Sequence, residues 1–194
     1  ERCYVELDLR DVAPAIQGSW KHYQQPERAA RTLRLMGLLR HQGAATALRQ
    51  SLPKHGVAAS EVQREALLAL ARLGDAATLA PFLEGVAAAF RRHLGQTPGG
   101  TPAHSSLWSV GLRSAAELKD PTLSELSLAL LRAERPLEAV ARELPPALVR
   151  FGALELSPTL EAVLGDPRAP ELSKRQAIRC AREIDGYDEG GTTF

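Results

Sequence analysis

The side chains that could do chemistry are scattered along this chain. The five histidines, His22, His41, His55, His93 and His104, never recur four residues apart on one helix, so no single element offers a pair of them to a metal ion. Two carboxylate groups stand out, Glu117 with Asp120, and Asp185 with Asp188 and Glu189. Each lies beside a turn, where acids cap helices or sit in solvent. A catalytic pair of carboxylates needs a pocket that separates their pKa values, and no pattern here marks one. The nucleophile elbow GxSxG, the phosphate loop GxxxxGK, the dinucleotide motif GxGxxG and the zinc motif HExxH are all missing. No catalytic residue, metal ligand or cofactor site is therefore expected.

The cysteines add little. Cys3 and Cys180 stand near opposite ends and form no CxxC spacing. Bridging them would require the N-terminal segment to run back along the molecule, because Cα atoms more than about 7 Å apart cannot be joined. Two reduced thiols and one long-range bridge both stay open, with Cys180 packed on a helix face in the first case.

Charge distribution carries the one functional hint. The net charge is +1, yet residues 21–54 hold Lys21, Arg28, Arg31, Arg34, Arg40, Arg49 and Lys54 against Glu27 alone, a local balance of +6. Arg28, Arg31 and Arg34 recur about one turn apart and make a basic ridge that could meet an acidic protein surface or phosphates. With Arg40, Arg49 and Lys54 they form the candidate partner-binding set. A second ridge, Arg175, Arg179 and Arg182, is offset by neighbouring acids.

Helices must hold these charges. Hydrophobic residues make up 44% of the chain, charged residues 24% and aromatics only 5%, with Ala and Leu dominant. Ala and Leu lead the helix propensity scale, whereas strands favour β-branched and aromatic side chains. No apolar run reaches the roughly 18 residues a membrane helix needs, which predicts a soluble protein without membrane insertion. Gly and Pro punctuation divides the chain into around ten helices. Ser60 with Gln63 spells a capping box. Asp120 and Ser157, each ahead of a proline, read as N-caps, and Gly43 and Gly74 as left-handed helix ends.

An apolar stripe then recurs. In Val62–Leu83, VQREALLALARLGDAATLAPFL, the residues Ala66, Leu67, Leu70 and Leu73 line one helix face before a Gly-Asp turn opens the next helix. Further copies read Arg175-Ala177-Ile178-Ala181-Ile184, Gly111-Leu112-Ala115-Leu118, Ala147-Leu148-Phe151-Leu154, and, more weakly, Leu35-Met36-Leu39 before Gly43. Their last positions, 42, 73, 118, 154 and 184, give steps of 31, 45, 36 and 30 residues. The longest step holds a long helix over 78–94 and the loop Gly95–His104, which reads as a tolerated connector or as the one candidate functional loop.

The Val62–Leu83 segment resembles the second helix and following turn of a HEAT-like repeat, of the kind also found in phycobilin-lyase-like bacterial repeat proteins. The resemblance covers about residues 26–186. It implies an all-α, right-handed α-solenoid of about four to five helix pairs, with residues 1–25 as a lead-in and capping helix bearing Val12, Ile16, Trp20 and Tyr23. Residues 187–194 form an acidic, flexible tail. It further implies a non-enzymatic scaffold that presents a curved helical surface to another protein. The alternative is nucleic-acid binding through the basic N-terminal repeat, as in HEAT-like DNA glycosylases, and a third reading is prosthetic-group handling as in phycobilin lyases. The expected location is the cytoplasm, with export left open because the chain starts at Glu1.

Overall fold

A computed structural model describes residues 26–52, 59–97 and 99–185. The described residues are all helical, with no strand among them. Nine α-helices follow in order: α1 (Pro26–Leu38), α2 (Ala45–Gln50), α3 (Glu61–Arg72), α4 (Ala76–His93), α5 (Trp108–Leu118), α6 (Pro121–Arg132), α7 (Leu144–Phe151), α8 (Leu156–Gly165) and α9 (Glu171–Ile184). The expected lead-in, the capping helix over 11–23, the tail over 187–194, Cys3 and Lys54 lie outside the described residues.

The ends of these helices follow from local chemistry. The Ser60 amide donates to the Gln63 side chain at 2.8 Å and the Gln63 amide to the Ser60 hydroxyl at 3.3 Å, closing the capping box of α3. Asp75 and Asp120 accept from the amides of Thr78 and Leu123 and cap α4 and α6. The expected cap at Ser157 needs correction. Helix α8 starts at Leu156, so Ser157 lies within its first turn and does not cap it.

The odd-numbered helices pack in sequence, α1 on α3, α3 on α5, α5 on α7 and α7 on α9, and form one row. Helices α4, α6 and α8 pack successively into a second row. Between the rows runs one continuous core, with Leu33, Met36, Leu67, Leu70, Leu79, Phe90, Leu112, Leu130 and Leu148 all excluded from solvent. Close approach within the odd row depends on small residues. A Cβ added at Gly37 would lie 2.6 Å from the Ala69 Cα, so α1 and α3 meet backbone to backbone at this point.

All five sequence stripes fall on odd helices. Three of them, however, depart from expectation: those on α1 and α7 shift by one turn, and on α9 Ile178 and Ile184 are 44% and 49% exposed while Ser173, Gln176, Ala177 and Cys180 are buried. The left-handed residues that end α1, α3, α5 and α7 are Arg40, Gly74, Lys119 and Gly152, not Gly43, which lies in a 3-10 turn over Gln42–Ala44. On α1 the buried stripe is Thr32, Leu33 and Met36; on α7 Ala147, Leu148 and Phe151 are buried as expected, joined by Leu144 and Pro145 one turn earlier, while Leu154 lies beyond the helix and is 93% exposed. The left-handed positions are spaced 34, 45 and 33 residues apart, more evenly than the stripes suggested. Apolar residues recur at both i+3 and i+4 in such helices, so hydrophobicity alone cannot fix the turn.

The long step is accounted for by the 18-residue α4 and by a loop that folds back along it. The Ala103 amide donates to the Gly85 carbonyl at 2.8 Å, and the Trp108 indole N–H donates to the Ala103 carbonyl at 2.9 Å. Gly85 leaves room for this return, since a Cβ there would stand 3.3 Å from the Thr101 carbonyl. Trp108 also meets Phe90 edge to face, with ring centroids 6.5 Å apart. Both contacts give it a packing role.

Candidate partner-binding groove

The described N-terminal basic residues lie on α1, in the turn after it and on α2. Arg28 and Arg31 are exposed on α1. Arg34, half-buried, approaches Arg72 closely enough for the two charges to oppose one another. Arg40 occupies the left-handed turn after α1. Arg49 is committed to Asp75, its Nε donating to the carboxylate at 2.8 Å across to the cap of α4. Burial would raise the Asp75 carboxyl, but hydrogen bonds from Arg49 and Thr78, with the Arg49 charge, hold it below its usual range.

A different set of charges does converge. Along the odd row, Arg72 on α3, Arg113 on α5, Arg142 just before α7, Arg150 on α7 and Arg179 on α9 line a groove of about 550 Å³. Glu117, Glu143 and Glu183 stand among them, and Ala116, Pro146, Ala147 and Val149 supply small or apolar surface. Arginines therefore outnumber glutamates five to three.

These charges occupy corresponding places in successive helix pairs. Arg72, Glu117 and Arg150 each lie two residues before a left-handed residue, and Glu183 lies 33 residues beyond Arg150, the same step that separates Glu117 from Arg150. The sign alternates from helix to helix. Glu117 is clamped from both sides, 3.6 Å from Arg72 Nε and 2.6 Å from Arg150 Nη2, with only 11% of its side chain exposed. Arg113 lies 3.8 Å from Glu143, and Arg179 lies 3.7 Å from Glu183 while reaching the Arg142 carbonyl at 3.5 Å.

Arg72 anchors the ladder. Its side chain is 14% exposed, and its Nη1 is buried with no hydrogen-bond partner, as is Glu65 Oε2 two turns earlier on the same face of α3. Burial, helped by the Arg113 and Arg34 charges, lowers its pKa, while Glu117 and Glu65 oppose that shift. A guanidinium stays protonated regardless, so Arg72 is a buried cation that depends on Glu117. Sequence reading missed this ladder because its members stand 33 to 45 residues apart and belong to no local motif. Reading the position two residues before each helix end across aligned repeats exposes it.

The remaining candidates have structural roles. His93 shares a hydrogen bond with the Arg135 carbonyl at 2.8 Å, and His104 with Ser106 at 3.0 Å. Among the described residues no group of His, Cys, Asp or Glu could hold a metal ion, and no helix is long and apolar enough to cross a membrane. Asp120 caps a helix as its position suggested, whereas Glu117 belongs to the ladder. Cys180 is fully buried on α9, its Sγ 3.9 Å from the Pro145 carbonyl, and burial, assisted by Glu183, pushes its thiol up to about 12. The second basic ridge is offset by acids, Arg175 lying 3.1 Å from Glu171 and Arg179 3.7 Å from Glu183. Comparisons with protein-family models, with curated proteins and with solved structures found no match for the chain.

Proposed function

We propose that the chain is a non-enzymatic scaffold, a right-handed α-solenoid of HEAT-like helix pairs whose odd-numbered row presents the groove to a segment of another protein. The carrying observation is the convergence of five arginines and three glutamates from successive helices on one groove with a small, apolar floor. In a solenoid the inner helices of successive repeats combine into one extended surface, and residues far apart in sequence become neighbours on it.

The mixed signs favour protein over nucleic acid. A phosphate backbone carries one uninterrupted sign of charge, and proteins bind it through lysine and arginine that displace its counterions. With Glu117, Glu143 and Glu183 set among the five arginines, the groove offers no uninterrupted run of positive charge for such a strand to lie along. A polypeptide can place opposite charges, or none, beside each of them.

Site-specific photocrosslinking tests this reading. A benzoylphenylalanine at Val149, half-buried in the groove, should form a protein adduct in cells, while one at exposed Glu161 on α8 should not. Absence of any protein adduct at Val149, or equal adducts at both places, would refute it.

A further inference from the structure

We infer that the groove takes an acidic, extended segment of a partner protein, with carboxylates seated on Arg113 and Arg142; the inference rests on the docking reading above. The charge ledger of the groove points to it. Glu117 is satisfied by Arg72 and Arg150, and Glu183 by Arg179. Glu143 has only Arg113, at a loose 3.8 Å, and the Arg142 side chain makes no ion pair with any described residue. Arg142 is thus left without a carboxylate and Arg113 with only a loose one, and the groove holds two more arginines than glutamates. Both are accessible, Arg142 being exposed and the Arg113 side chain 42% exposed.

Guanidinium groups offer a planar fork of donors that matches a carboxylate with two parallel hydrogen bonds. They sit on neighbouring elements, Arg113 on α5 and Arg142 just ahead of α7, beside a floor of Ala116, Ala147 and Val149. Small residues there leave space for a backbone in extended form rather than for a bulky anchor. A volume of about 550 Å³ falls within the few hundred to one thousand Å³ typical of clefts that enclose a compact ligand. Only a short stretch of chain is held, so carboxylates at close spacing supply the recognition.

The experiment is fluorescence anisotropy of fluorescein-labelled hexaglutamate against the full chain at low and physiological salt. Labelled hexalysine and an oligothymidylate serve as competing chemistries. Hexaglutamate should bind, weaken with salt, and lose at least tenfold in affinity when Arg113→Gln and Arg142→Gln are combined. Arg28→Gln with Arg31→Gln should change it by less than twofold. Circular dichroism melts check the fold of each variant; should the double variant unfold, Arg142→Gln alone, at an exposed and unpaired residue, should still weaken binding at least threefold. No hexaglutamate binding at low salt, equal binding by the groove variants, or tighter binding of oligothymidylate lost with the same residues would overturn the inference. If hexaglutamate fails while the Val149 adduct persists, the acidic segment is wrong and docking stands; loss of both overturns both.

Discussion

Replacing Gly37 by alanine tests how closely the odd helices approach. In the structure a Cβ at this position would lie 2.6 Å from the Ala69 Cα and 2.7 Å from the Ala69 Cβ, with Arg72 Cδ at 3.5 Å. Carbon atoms in contact rest about 3.5–4.0 Å apart. Because the obstacle is the backbone of α3, no rotamer change can relieve it, and α1 must move away by about 1 Å. A gap of that size forfeits a quarter to a half of the dispersion attraction of each contact across it, and overpacking typically costs about 1–3 kcal/mol. Alanine's better helix propensity returns about 1 kcal/mol. The expected net loss is about 1–2 kcal/mol. With a urea slope of about 1–3 kcal/mol per molar, the midpoint should fall by roughly 0.3–2 M, read by ellipticity at 222 nm. Gly165→Ala is the control, since nothing lies within 4 Å of its added carbon, and it should be neutral or stabilising by up to about 1 kcal/mol. A Gly37→Ala protein as stable as the parent, or more so, would refute backbone contact between α1 and α3.

Three further outcomes are expected. Glu117→Gln leaves the buried Arg72 cation without its carboxylate and should cost about 2–4 kcal/mol in urea titration, whereas adding Arg72→Leu should recover much of that loss; no recovery would mean that Glu117 acts otherwise. Lys119→Gly relieves a left-handed residue (φ 57°) and should stabilise by about 0.5–1 kcal/mol, measured in the same way. The Cys180 thiol, raised by burial, should react with a disulfide reagent at pH 8 about a thousandfold more slowly in the folded than in the urea-unfolded chain; equal rates would mean that α9 frays open.

Much of the architecture was legible in the residues. Ser60 and Gln63, Asp120 and Pro121, and the stripe of Ala66, Leu67, Leu70 and Leu73 are local signals, and each marks a helix end or face found in the structure. The one-turn slips on α1 and α7 arose where the left-handed residue is Arg40 rather than a glycine, and where Leu154 continues the apolar pattern past Gly152. The groove lay beyond local reading. Arg28, Arg31 and Arg34 are conspicuous because they are adjacent, while Arg72, Glu117, Arg150 and Glu183 become neighbours only after the helix pairs stack. Density of charge in sequence marked an exposed helix face; correspondence between successive odd helices marked the groove.

Hydrogen–deuterium exchange, read by mass spectrometry on the full chain with and without the protein identified through the Val149 adduct, tests the docking surface most directly. The account predicts slowed exchange in peptides covering 108–118, 142–151 and 176–184, with 26–50 and 156–165 unchanged. Protection confined to 26–50, around Arg28, Arg31 and Arg40, or to the helices of the even-numbered row, would contradict it.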